Sequence, residues 1–97
     1  MLVDFSISPL GKGESLSPYV AQVYRLIEES GLPHEYHAMG TNIEGDWDAV
    51  MGLIKSCRDF LLQNVNRVSI SIRIDDRKGV TDGLTRKTES AKDKMGS

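Results

Sequence analysis

The chain lacks the features that staple or anchor many small proteins. A single cysteine, Cys57, excludes an intrachain disulfide among 97 residues. The longest apolar runs are only a few residues, too short to span a bilayer, so no membrane partner is expected. Met1 leads directly into LVDFSI, without the basic start and apolar core of a signal peptide, and the expected location is cytoplasmic. Cationic excess is missing too, with 12 Lys and Arg set against 14 Asp and Glu. Nucleic-acid binders carry a basic stripe that neutralises phosphates. Here the charge-dense stretches RIDDRK and TRKTESAKDK both contain acids, so nucleic acid is not an expected partner. At this length one domain, 1–97, is expected, and its modest core makes oligomerisation a natural route to stability.

What is present is periodic. Val3, Phe5 and Ile7 alternate with Asp4, Ser6 and Ser8, the period of a half-buried strand. Ser17-Pro18 starts a helix over about 18–30, with Ser as cap and Pro at the first position, and Gly31 and Pro33 end it. His34 to Met39 reads as a second strand, Met39-Gly40 as a turn and Thr41 to Gly45 as a third strand. Asp46 caps a second helix whose stripe is Trp47, Val50, Met51, Ile54, Cys57 and Leu61, ending near Gln63-Asn64. Arg67 to Asp75 alternates most cleanly, with Val68, Ile70, Ile72 and Ile74 on one side. Residues 78–97 form a polar tail in which Thr85 to Met95 has the makings of a short C-terminal helix, marginal alone.

The order strand, helix, strand, strand, helix, strand is the split βαβ pattern. It predicts an α+β, ferredoxin-like βαββαβ sandwich: an antiparallel four-stranded sheet in the order 4-1-3-2 with two helices on one face. The uncovered face would then carry Asp4, Ser6, Ser8, Ser69, Ser71 and Arg73. Serine is a poor strand former, so a band of serines suggests close approach by another sheet or by a small ligand that uses hydroxyls. RNA-recognition modules share this order but stack bases on sheet aromatics. Here Phe5 points to the core and the last strand has no aromatic, which excludes that function.

Chemical motifs are scarce. His34 and His37, three apart on a strand, face opposite ways and cannot share a metal, so no metal is expected. Cys57 lies on an apolar stripe, as core residues do. GKGES lacks the spacing of a phosphate loop. Glu44 and Asp46 are two apart and conceivable as a carboxylate pair, but Asp46 is better used as a helix cap. The polar stretch GTNIEG before a capped helix keeps two readings open: a hairpin feeding a helix, or a ligand-binding edge.

Three segments together resemble a known family: Ser8-Pro9-Leu10-Gly11 ending the first strand, Thr41-Asn42-Ile43-Glu44-Gly45 before the second helix, and Ile74-Asp75-Asp76-Arg77 ending the last strand. In these the chain is similar, over nearly its whole length, to the small thiamine-binding proteins, formerly a domain of unknown function. The resemblance implies a ferredoxin-like domain. It implies a homotetramer built as a dimer of dimers. It also implies non-enzymatic binding of thiamine or its hydroxymethylpyrimidine portion as ligand, with no cofactor. The site expected on this basis comprises Ser6 and Ser8; Met39 as an apolar wall; Gly40 for close backbone approach; Thr41 and Asn42 as hydrogen-bond partners; Glu44 as acceptor for the amine or cation; and Ser71. The tail departs from the family in being polar. The alternatives are an oligomeric interaction protein with no small-molecule ligand, and an enzyme using Glu44 with an arginine on a small anion.

Overall fold

The computed structural model describes residues 1–10 and 17–79. Its elements are β1 (Leu2–Leu10), α1 (Ser17–Glu29), β2 (His34–His37), β3 (Gly40–Glu44), α2 (Trp47–Asn64) and β4 (Arg67–Asp75). All strand pairs are antiparallel and the order is β2-β3-β1-β4. This is the expected ferredoxin-like arrangement. The C-terminal helix expected from Thr85 onward lies outside the described residues. Among those residues, no helix is long and apolar enough to cross a membrane.

Period-two patterning sets the two faces of the sheet. Val3 and Phe5 of β1 and Ile43 of β3 are buried with Val23 and Ile27 of α1 and Val50, Ile54, Cys57 and Leu61 of α2. The opposite, open face carries Asp4, Ser6 and Ser8, with Ser71 and Ser69 directly across from the two serines on β4. α2 forms where the stripe spacing demands it. Its Asp46 cap accepts the Ala49 N–H at 2.8 Å, and Asp48 lies in the positive first turn. Trp47 departs from the expected stripe: as the first residue of α2 it is 56% exposed. α1 stops at Gly31, whose φ of 73° is the left-handed conformation that favours glycine at a helix end.

The strands differ in length, and this positions the site. β1 and β4 pair over nine residues, from Leu2↔Asp75 to Leu10↔Arg67. β1 runs on through Pro9 to Leu10, beyond the Ser8 end expected from alternation. β3 pairs β1 only as far as Phe5↔Thr41. The turn joining β2 to β3 is Ala38-Met39, one residue earlier than the sequence suggested, and Gly40 is already in the strand, opposite His37. Beyond Phe5, therefore, β1 has β4 on one side and no strand on the other.

Gly40 is held tightly against β1. A Cβ there would lie 2.7 Å from the Phe5 carbonyl oxygen, a backbone atom that cannot swing away. A Cβ at Gly52, on the exposed side of α2, would have nothing within 4 Å. Gly40→Ala is expected to destabilise the protein by about 1–3 kcal/mol through overpacking. Gly52→Ala is expected to stabilise it by about 1 kcal/mol through helix propensity. Urea unfolding midpoints of the two variants check both signs.

Candidate functional site

The missing strand beside the second half of β1 leaves a cavity of about 270 Å³. Its floor is β1 from Phe5 to Pro9, one wall is α1, and the other is the β2–β3 turn. Val20, Val23 and Ile27 present the apolar stripe of α1, and Leu61 closes the interior from α2. Thr41 enters from β3, with Ser6 and Ser8 on the floor and Met39 and Tyr24 also lining the space. The cavity thus joins the apolar wall of α1 to a polar edge formed by β1, Thr41 and the β2–β3 turn, a mixture suited to a small molecule.

Two side-chain networks brace its walls. On the open face, His37 Nε2 lies 2.8 Å from Asp4 Oδ1, and the Met39 N–H donates to His37 Nδ1 at 3.2 Å. Together these bonds place the ring proton on Nε2. They tie the turn to β1, and both ring nitrogens are occupied, so His37 is a brace rather than a free base. On the helix face, Tyr36 donates to Glu28 Oε1 at 2.7 Å, and His34 Nε2 lies 3.2 Å from the same oxygen. The Tyr24 and Tyr36 rings meet edge to face at 5.0 Å, a favoured aromatic geometry. This cluster holds α1, which carries the cavity's apolar wall, against β2. The two histidines face opposite sides of the sheet, as their spacing requires.

Five of the residues singled out in the sequence, Ser6, Ser8, Met39, Gly40 and Thr41, lie around the cavity. Asn42, Glu44 and Ser71 do not line it. Thr41 and Asn42 cannot serve one ligand on one face, since neighbours on a strand point to opposite sides. Thr41 is 4% exposed on the helix side, whereas Asn42 faces open, between Asp4 and Glu35 in the register. Glu44 is buried at the far end of β3, opposite Leu2. Asp46 is used as the α2 cap, so no Glu44–Asp46 carboxylate pair forms. Met39 is 82% exposed at the rim. Sequence reasoning missed Ile7, the α1 wall and Tyr24. The helical spacing of Val20, Val23 and Ile27 marked them as core, and only the shortness of β3 turns part of that core surface into a cavity.

Cys57 is fully buried, and burial pushes its thiol up to about 11. Among the described residues no cluster of three His, Cys, Asp or Glu side chains converges as a metal site would.

The profile of the family described as "Thiamine-binding protein" matches residues 3–92. The chain belongs to this family. A UPF0045 protein of Mycobacterium tuberculosis is 42% identical over 88 residues, covering 90% of this chain and 86% of that one. One from Methanocaldococcus jannaschii is 37% identical over 90 residues, covering 93% and 90%. A crystal structure of the M. jannaschii protein superposes with a TM-score of 0.82 over 93% of each chain. A Thermotoga maritima structure, described as a putative thiamine biosynthesis/salvage protein, shares the fold at 20% identity, with a TM-score of 0.75 over 91% of this chain and 96% of its own.

Two predictions follow from these networks. The Leu32 carbonyl, 2.7 Å from His34 Nδ1, raises the His34 pKa above 6.5; burial opposes this and Glu28 adds to it. The hydrogen bonds from Tyr36 and His34 lower Glu28 below 4.5. The His34 contribution to stability is therefore complete below pH 6.5 and is lost as pH rises through its higher folded value. The Glu28 contribution is present above pH 4.5 and is lost as pH falls through its lower one. His34→Gln should cost most stability between these limits, with a deficit that shrinks as pH rises above 6.5, as read from urea midpoints across pH. Cys57 should react with a thiol reagent only at the rate of opening, so adding urea should accelerate labelling steeply.

Proposed function

We propose that this protein binds thiamine or its hydroxymethylpyrimidine portion in the cavity beside Ile7, as a non-enzymatic cytoplasmic carrier, buffer or sensor. The observation that carries the reading is the cavity itself, in a chain whose family match spans residues 3–92. At about 270 Å³ it is slightly below the range usual for drug-sized ligands. A single pyrimidine ring suits the interior, leaving the rest of the molecule at the mouth. The ring would lie against Val23 and Ile27, with the Thr41 hydroxyl, on the same side of the sheet, available to its polar edge. A thiazolium cation at the mouth would meet the half-exposed Tyr24 ring, whose face attracts cations, and the Met39 side chain. The engaged nitrogens of His37 and the buried Cys57 thiol support binding without turnover.

Self-association fits the same reading. β4 is a nine-residue outer edge, and Ile72 and Ile74 remain 39% and 38% exposed on it. Such an edge is a template for another strand. A second copy paired antiparallel about Ser71 would set Arg67 opposite Asp75, Val68 opposite Ile74 and Ile70 opposite Ile72. In this dimer the odd residues of β4 bond inward to β1, so the two Ser71 residues would form a non-hydrogen-bonded pair with Cα atoms about 4.5 Å apart. The serine bands of two such dimers would then pack to give a dimer of dimers.

Thiamine and free hydroxymethylpyrimidine, titrated calorimetrically, are expected to bind. At 100 times Kd either should stabilise the fold by about 2.7 kcal/mol. Thr41→Val should weaken binding roughly tenfold, while Lys55→Ala on α2 should not. A folded protein stabilised by neither compound would leave the assembly role alone. For the dimer, Ser71→Cys should cross-link to a covalent dimer under mild oxidation, since this spacing suits a disulfide. A variant that stays monomeric on a denaturing gel contradicts the β4 pairing.

A further inference from the structure

We propose that the backbone of Ile7 is the recognition element of the cavity: its N–H and C=O take the place of a β-bridge and pair with a ring that carries an N–H donor beside a nitrogen acceptor. The inference rests on the small-molecule reading above and adds the chemistry by which the ligand is chosen.

The register fixes which way each β1 residue presents its backbone. Gly45 donates its N–H to the Met1 carbonyl at 3.1 Å, and the same pairing continues as Val3↔Ile43 and Phe5↔Thr41. Odd residues of β1 therefore present N–H and C=O toward β3, and even residues toward β4. Pro9 agrees with this phase. Its missing N–H falls on the side with no strand, so the proline costs no ladder bond.

The next step of the ladder would join Ile7 to Met39. It does not form, because Met39 lies in the turn and gives its N–H to His37 Nδ1 instead. Among the described residues no backbone group completes a bridge to Ile7 on this side. Ile7 thus offers one donor and one acceptor, side by side, on the floor of the cavity, facing the apolar wall of α1. A ligand that displaces water from this donor and acceptor must pair with both, since leaving them dry and unpaired carries the full desolvation penalty.

A ring amidine matches that demand. Its exocyclic N–H donates to the Ile7 carbonyl while the adjacent ring nitrogen accepts the Ile7 N–H. The ligand then occupies the position of the absent strand residue, with its edge against Ile7 in the sheet plane and one ring face toward the α1 stripe. His37 has a consequent role: by holding the Met39 N–H it keeps the turn from closing the ladder over the site.

The test compares hydroxymethylpyrimidine with the analogue in which a methyl group of the same size replaces the exocyclic amine. Titration calorimetry is read beside hydrogen exchange of the Ile7 amide by NMR. The expected result is binding of the amine and at least roughly tenfold weaker binding of the methyl analogue, together with slowed Ile7 exchange on saturation by the amine. Equal binding of both compounds, or an Ile7 amide whose exchange is unchanged at saturation, overturns the Ile7 assignment and leaves the cavity reading intact. Binding of neither compound overturns both.

Discussion

The close seating of Gly40 on the Phe5 carbonyl is the constraint on which the site depends. It lets the β2–β3 hairpin approach β1 closely where the pairing reaches its last step, Phe5↔Thr41. β1 and β4 continue for the length of a nine-residue ladder, so the early end of β3 opens a gap in a sheet that is otherwise closed on that side. α1 crosses the gap with an apolar stripe built to cover a sheet. Where the sheet is missing, the stripe becomes the wall of a cavity. A methyl group at position 40 would push the hairpin outward and disturb the register, the cavity floor and the turn together.

The bracing around this gap divides by face. On the open side, Asp4, His37 and the Met39 amide form one short chain that fixes the turn. On the helix side, Tyr24, Tyr36, Glu28 and His34 bind α1 to an edge strand of only four residues. These contacts are exposed and individually modest. Their effect is to keep two walls at a fixed separation, which matters more for recognition than for total stability, since a preorganised site spends less binding energy on ordering.

Much of the fold was legible in the sequence because its elements obey clean periods. The alternation of Val68 to Ile74 and the Asp46 cap led to β4 and α2 with accurate ends, and the element order led to the observed sheet order. The site was only partly legible. Adjacent residues in a strand point apart, so Thr41 and Asn42 could not both belong to it, a conclusion the period itself contained. Ile7 is a different case. It alternates as a core residue should, and its partly exposed position follows from the length of β3 relative to β1 and from a turn at Ala38-Met39 that lacks the usual Asn-Gly signal. Trp47 was misplaced for a related reason: helical spacing fixes a face and says nothing of which residues along it are covered.

A crystal structure of the protein soaked with thiamine tests the account most directly. The account predicts density for the pyrimidine ring beside β1 at Ile7 and facing Val23 and Ile27 of α1, with the thiazolium at the Tyr24 mouth and the hairpin unmoved. An empty cavity at saturating ligand, or density seated on the serine face around Ser71, would contradict it.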